Sequence, residues 1–128
     1  MSLIRALDHI NIRTAGLAAT KAMFIDVLGL TDGWRPPFPF PGAWLYAGDK
    51  DVVHLVQVDQ PAASSEGSAL DHFAFEVSDY DEALRRVEAS GLKFRATATP
   101  GTSVKQIFVR DLNGVTIELN WKGGNPRG

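Results

Sequence analysis

The chain has 128 residues, 45% of them hydrophobic and 22% charged, the size and composition of one globular domain with its own core, which excludes a disordered or fibrous chain. A total of 13 Lys and Arg against 15 Asp and Glu leaves a formal net charge of −2, so no global field draws the chain to nucleic acid or anionic lipid. Cysteine is absent, which removes disulfides, thiolate nucleophiles, Cys-type zinc sites and iron-sulfur clusters, and fits a reducing compartment.

The opening stretch MSLIRALDHINIRT reaches charge before any apolar core of signal-peptide length. Nowhere does an apolar run approach the roughly 18 residues of a spanning helix, so a cytoplasmic protein without membrane contact is expected. Residues 4–13 alternate, with Ile4, Ile10 and Ile12 against His9, Asn11 and Arg13, the period of a half-buried strand. Leu17, Phe24, Val27 and Leu28 then fall on one helical face, and Gly29 suits the left-handed position beyond a helix end. Residues 34–44 hold four of the 7 prolines together with Trp34, Phe38, Phe40 and Trp44. Alternating proline forbids ladder bonding and stiffens the segment. This loop reads as an apolar wall beside a small-molecule substrate, as a subunit contact, or as a flap tucked on the core.

Gly48-Asp49-Lys50 turns the chain between strands at 44–46 and 52–58, and residues 59–69 read as a linker. A strand at 70–77 follows, then a helix with Ser78 as N-cap, Asp81 and Glu82 in its first turn, Ala83, Leu84 and Val87 as its apolar stripe, and Gly91 at its end. Asn113-Gly114 is a hairpin signal between 106–110 and 115–121, and 123–128 reads as a tail.

The chain repeats itself. Leu7-Asp8-His9 recurs 63 positions later as Leu70-Asp71-His72, Gly29-Leu30 recurs as Gly91-Leu92, and Val52-Val53-His54-Leu55 aligns with Thr116-Ile117-Glu118-Leu119. Each half reads as strand, helix and a run of strands. The expected organisation is one domain over 1–122, with module one at about 4–58 and module two at about 70–122.

If helices cover the Ile, Val, Leu and Phe face of each sheet, the other face carries His9, Asn11, Arg13, His54, His72, Glu76, Glu118 and Asn120. A solvated sheet face needs no function. All 3 histidines of the chain, however, take repeat-equivalent or partner positions on it, and Glu118 fills the remaining corresponding one. Each half then supplies two ligand-type residues, His9 with His54 and His72 with Glu118. A mixed imidazole and carboxylate set suits Fe(II), Zn, Ni, Co or Mn.

Paired modules opening with LDHINI and LDHFAF and closing with RDLNGVTIELN resemble the vicinal oxygen chelate superfamily, which includes glyoxalase I, extradiol dioxygenases, epimerases and antibiotic-binding resistance proteins. The resemblance covers about residues 5–122. It implies an α+β fold of two tandem βαβββ modules, a cupped, barrel-like mixed sheet with helices outside, around a divalent metal. It also implies a homodimer, since many members are dimers. The family's ligands fall on His9, His72 and Glu118, and its remaining position falls on His54, where glyoxalase I usually has Glu. In extradiol dioxygenases an unligated His serves as acid and base, so the resemblance gives His54 either that role or a fourth coordination position. Those enzymes commonly place a Tyr by the substrate. Tyr80 falls in a helix start, so Tyr46 is the sole candidate here, and against that chemistry Phe108 occupies a strand position where a Tyr would favour it. The resistance proteins generally lack the ligands this chain retains. The expectation is thus a metal-dependent enzyme whose substrate offers adjacent oxygens, leaning to dioxygenase-type chemistry, with glyoxalase-type lyase action or aromatic ligand binding as alternatives. Arg13 stands on the ligand face and suits a substrate carboxylate or an ion pair with Glu76. Arg35 and Arg95 have less positional support.

Overall fold

The computed structural model describes residues 2–123. The chain divides into two compact units, one up to Ala62 and one from Ala63 on. Only residue 123 of the expected tail lies within the described residues.

In the first unit, β1 (Ile10–Thr14) leads into α1 (Leu17–Ala22), which continues as a π-helical turn over Met23–Val27, and β2 (Thr31–Gly33), β3 (Gly42–Ala47) and β4 (Lys50–Gln57) follow. The sheet order is β1-β4-β3-β2, with β1 parallel to β4 and the other pairs antiparallel. Parallel neighbours need a crossover, and α1 supplies it. Ile12, Ala43, Leu45, Val53 and Leu55 are buried with Phe24 and Met23 on the face that α1 packs against.

The turn into α1 is tied down by polar groups rather than by a capping side chain of its own. Gln57 Oε1 accepts from Leu17 N at 3.1 Å while Gln57 Nε2 donates to Ala15 O at 2.9 Å. Buried Thr14 and Thr20 bond each other at 2.8 Å. The end of β4 thus fixes where the helix starts.

The second unit repeats this arrangement. β5 (His72–Glu76), α2 (Tyr80–Ser90), β6 (Phe94–Ala98), β7 (Lys105–Arg110) and β8 (Thr116–Trp121) form a sheet of order β5-β8-β7-β6, again with its first and last strands parallel. Val87 of α2 is fully buried with Ile107, Val109 and Ile117, and Leu119 is nearly so. Both sheets are open four-stranded mixed sheets, and the α+β class with two βαβββ modules is as expected.

Local boundaries differ from the sequence reading in several places, four of which show how the chain is organised there. The first strand begins at Ile10 and not at residue 4, and Ile4 is exposed, because its ladder partner β4 is matched only from Ile10 onward. The N-cap of α2 is Asp79 and not Ser78: Asp79 Oδ1 accepts from Glu82 N at 3.0 Å, and its carbonyl accepts from Ala83 N at 3.1 Å to open the helical ladder. The Asn113-Gly114 turn belongs to a longer loop organised by buried Asp111, whose Oδ1 accepts from Asn113 N and Val115 N, both at 2.9 Å. Gly114 there has φ +79°, which suits glycine. Finally, Gly42 within the proline-rich segment already belongs to β3, and residues 31–33 form the edge strand before it.

Candidate functional site

Strand register decides which side chains share a face. In module one Asn11, His54, Trp44 and Gly33 lie in one row across β1, β4, β3 and β2. In module two His72, Thr116 and Arg110 form one row, and Ala74, Glu118, Phe108 and Arg95 form the next. These rows lie opposite the buried aliphatic face, so the polar side chains stand on the face the sequence pattern assigned them. Trp44 and Phe108 occupy corresponding places, each directly across from the candidate ligand in the last strand of its module.

His54 is buried at 8% exposure. Its ring lies between Trp44, 4.0 Å away with planes 8° apart, and His9, 3.8 Å away with planes 15° apart. His54 Nε2 bonds Asp51 Oδ2 at 2.6 Å, and His9 Nδ1 bonds Asp8 Oδ2 at 2.6 Å. Lys50 joins the two carboxylates, donating to Asp8 Oδ1 at 2.6 Å and lying 3.8 Å from Asp51 Oδ1. The Lys50 ammonium, with the His9 bond, holds the Asp8 carboxyl down to about 2, and the His54 bond lowers that of Asp51. Both carboxylates are therefore ionised and accept only.

The same unit recurs in module two, where His72 Nδ1 bonds Asp71 Oδ2 at 2.8 Å. His72 Nε2 lies 3.3 Å from Glu118 Oε1, and Glu118 is buried at 7% exposure. Phe108 meets His72 in a T-shaped contact at 5.7 Å, and Arg95 lies over the Phe108 ring at 4.5 Å.

Tautomers follow from these partners. A ring nitrogen bonded to an ionised carboxylate carries the proton, so a neutral imidazole keeps its lone pair on the other nitrogen: Nε2 of His9, Nδ1 of His54 and Nε2 of His72. His72 Nε2 and the Glu118 carboxylate then face each other lone pair to lone pair. A cation between them, or a second proton on the ring, satisfies both. Two donors each about 2.1 Å from one divalent ion at an angle near 100° are spaced by about 3.2 Å, so the donor chemistry and spacing of this pair fit a metal. The module-one pair fits differently. Imidazole lone pairs lie in the ring plane, so two rings stacked in parallel do not aim both at one ion. Among the described residues, no three His, Asp or Glu side chains form a group that could hold a metal ion. The donors stand as pairs within their modules.

The remaining candidates separate into two sets. Asn11, Phe38, Phe40 and Trp44 line a cleft of about 160 Å³ with His54 at its wall. Arg35 shapes it from the loop side, its guanidinium 5.1 Å from both Phe38 and Phe40 and donating to Phe40 O at 2.9 Å. Trp34 is 70% exposed and meets Trp44 edge-on, outside that lining. Tyr46 spends its hydroxyl on the Trp34 carbonyl at 2.6 Å, and its ring covers Gly33 so closely that a Cβ there would lie 2.5 Å away. Arg13 is exposed beside Val56, and Glu76 lies 4.0 Å from Lys122. Sequence reasoning missed Asp8, Asp51 and Asp71 as histidine partners. For Asp8 and Asp71 the signal was the repeated Leu-Asp-His triplet itself.

No helix among the described residues is long and apolar enough to cross a membrane. The curated "Uncharacterized protein YaeR" of Escherichia coli (strain K12) is 26% identical over 130 aligned positions, covering 91% of this chain and 95% of its own. Among solved structures, a glyoxylase/bleomycin resistance protein/dioxygenase domain from Frankia sp. EAN1pec superposes with a TM-score of 0.79 at 17% identity, covering 95% of this chain and 96% of its own. The fosfomycin resistance protein FosX of Listeria monocytogenes superposes with a TM-score of 0.76 at 16% identity, covering 98% and 100%. Likeness at those identities speaks for the fold alone. The Glyoxalase/Bleomycin resistance protein/Dioxygenase superfamily profile matches residues 6–119, and with the duplicated βαβββ topology this places the chain in that superfamily.

Proposed function

We propose that the protein is a metal-dependent enzyme in which His9, His72 and Glu118 hold one divalent ion and His54 acts as general acid and base on a small substrate with adjacent oxygens. The observation that carries this reading is the lone-pair confrontation of His72 Nε2 and Glu118 Oε1 at 3.3 Å, with His72 Nδ1 already committed to Asp71. Fe(II), Zn, Ni, Co and Mn all suit such donors. When bound, the metal supplies Lewis-acid stabilisation of the enolate-like charge that develops on chelated oxygens. We take the working unit to be a cytoplasmic homodimer with 1–122 as a single domain, the modules completing the donor set within one chain or between two.

His54 Nδ1 takes a proton from a substrate hydroxyl, and the Asp51 carboxylate, which accepts from Nε2–H, stabilises the imidazolium that forms. Trp44 and His9 cover the two faces of this ring and keep water from it. Asn11, Phe38 and Phe40 bound the adjoining cleft for a planar or aliphatic group. Because His54 is engaged with Asp51 and stacked on His9, three ligands with a separate base, the dioxygenase-type layout, is favoured over four ligands. The alternative is lyase or isomerase chemistry using the same base.

Elemental analysis of gently purified protein beside Glu118→Ala tests the metal assignment. Stoichiometric metal in the wild type and its loss in the variant are expected; a wild type that takes up no metal on loading overturns it. Oxygen consumption after anaerobic Fe(II) loading and addition of a catechol supports the dioxygenase reading. Turnover of a thiol–methylglyoxal adduct with Ni(II) or Zn(II), and no oxygen uptake, moves the assignment to the lyase class. Aromatic ligand binding unchanged in His72→Ala, without turnover, identifies a binding protein.

A further inference from the structure

Strand β6 carries Arg95 into the row of Phe108 and Glu118. Lys93, just ahead of β6, opens with Arg95, Arg110, Phe108 and His72 onto a module-two cleft of about 610 Å³. Two of the cations in this cleft stand outside its ion pairs. Arg110 is paired with Glu66 at 2.6 Å, and Asp71 is bonded to His72 at 2.8 Å. Lys93 and Arg95 have no carboxylate within ion-pair distance among the described residues. The Arg95 guanidinium rests on the Phe108 ring at 4.5 Å, which orients its plane and leaves N–H edges free to donate. The same phenyl ring also contacts the His72 imidazole.

We propose that Lys93 and Arg95 form an anion subsite, and that the substrate carries a carboxylate or phosphoryl group at one end. The guanidinium and the ammonium bond that oxyanion. The body of the substrate crosses Phe108, and its adjacent oxygens lie toward His72 and Glu118. This names a substrate class for the proposed enzyme and rests on that reading for the placement of the adjacent oxygens; capture of the anion needs no metal. Two cations on one concave surface, neither engaged in an ion pair, can both donate to one oxyanion, and charge-assisted bonds of that kind are the strong ones.

The test uses metal-free full-length protein, titrated with inorganic phosphate and, separately, with acetate, and followed by amide proton–nitrogen spectra. Saturable shifts at residues 93–96 and 108–110 are expected with at least one anion. Phosphate alone assigns a phosphoryl group, and acetate alone a carboxylate. Lys93→Gln and Arg95→Gln should each weaken binding about tenfold. Arg85→Gln, an equal charge change on α2, should leave it as in the wild type. Should Arg95→Gln fail to fold, Lys93→Gln decides, with Arg95→Lys expected to keep both the fold and most of the binding. Absence of saturation with both anions, or saturation unchanged in the foldable variants, overturns the subsite. Since metal is absent throughout, failure here is distinct from failure of the metal assignment, which elemental analysis reads.

Discussion

An imidazole that gives its N–H to a carboxylate has one lone pair left to use, and His72 turns that lone pair toward a second, buried carboxylate. Asp71 sets this orientation by holding Nδ1 at 2.8 Å. Replacing Asp71 by Asn keeps the shape and removes the charge that fixes the tautomer. Metal affinity, measured by competition with a chromophoric chelator, should fall roughly 10- to 100-fold, the usual cost of losing a carboxylate behind a ligating histidine. Unchanged affinity would mean that Asp71 does not orient a ligand. The pairs themselves were legible in the sequence because two periodicities agreed: the repeat matched His9 with His72 and His54 with Glu118, while strand alternation put all four on the polar face. The stacking of His9 on His54 was not legible, since it depends on side-chain rotamers. The Asp51–His54 bond was hidden for a related reason: the pleat alone would send residues three apart to opposite faces.

At the scale of elements, the clearest case is α2. Glu82 receives Arg85 and Arg86 together, at 2.5 Å and 2.9 Å, and these two cations hold its carboxyl down to about 2, against an ordinary value of 4.5. A carboxyl lowered in the folded state stabilises it fully above the ordinary range and loses that effect as pH falls toward the folded value. The melting-temperature gap between wild type and Glu82→Gln should therefore be constant from about pH 5 to 7 and close by about pH 2; a gap that widens on acidification would contradict this reading. A second case is the close pairing of β3 with β4. A Cβ at Gly42 would stand 2.3 Å from the Leu55 carbonyl oxygen, so Gly42→Ala must push the strands apart. The expected cost is about 1–3 kcal/mol by urea unfolding. Element types were readable from apolar spacing and from turn glycines such as Gly91. The ends were not, because β1 begins only where its pairing with Val53 of β4 begins, the helix start follows Asp79 and not the neighbouring Ser78, and the β7–β8 loop is organised by a buried Asp111 that composition alone does not distinguish from a solvated acid.

At the scale of the whole molecule, the chain is a duplication in which each copy has its own core, around Leu55 and Val53 in one and around Ile117 and Val109 in the other. The copies have diverged on their polar faces. Module one carries an imidazole sandwich and an aromatic, proline-rich loop, whereas module two carries an imidazole facing a carboxylate, with Arg95 standing where the first has Gly33. Neither pair alone gives three donors suited to one ion, so the proposed centre needs donors from both modules. A ligand that binds only the folded state raises stability by RT ln(1 + [L]/Kd), about 2.7 kcal/mol at one hundred times Kd. Adding saturating Zn(II) or Ni(II) to metal-free protein should raise the melting temperature by the several degrees this implies. The rise should vanish in Glu118→Ala, altered in module two, and equally in His9→Ala, altered in module one. A rise that survives His9→Ala and is lost only in Glu118→Ala would confine the metal to module two, and His9 would then belong with Trp44 as a cover for the His54 ring.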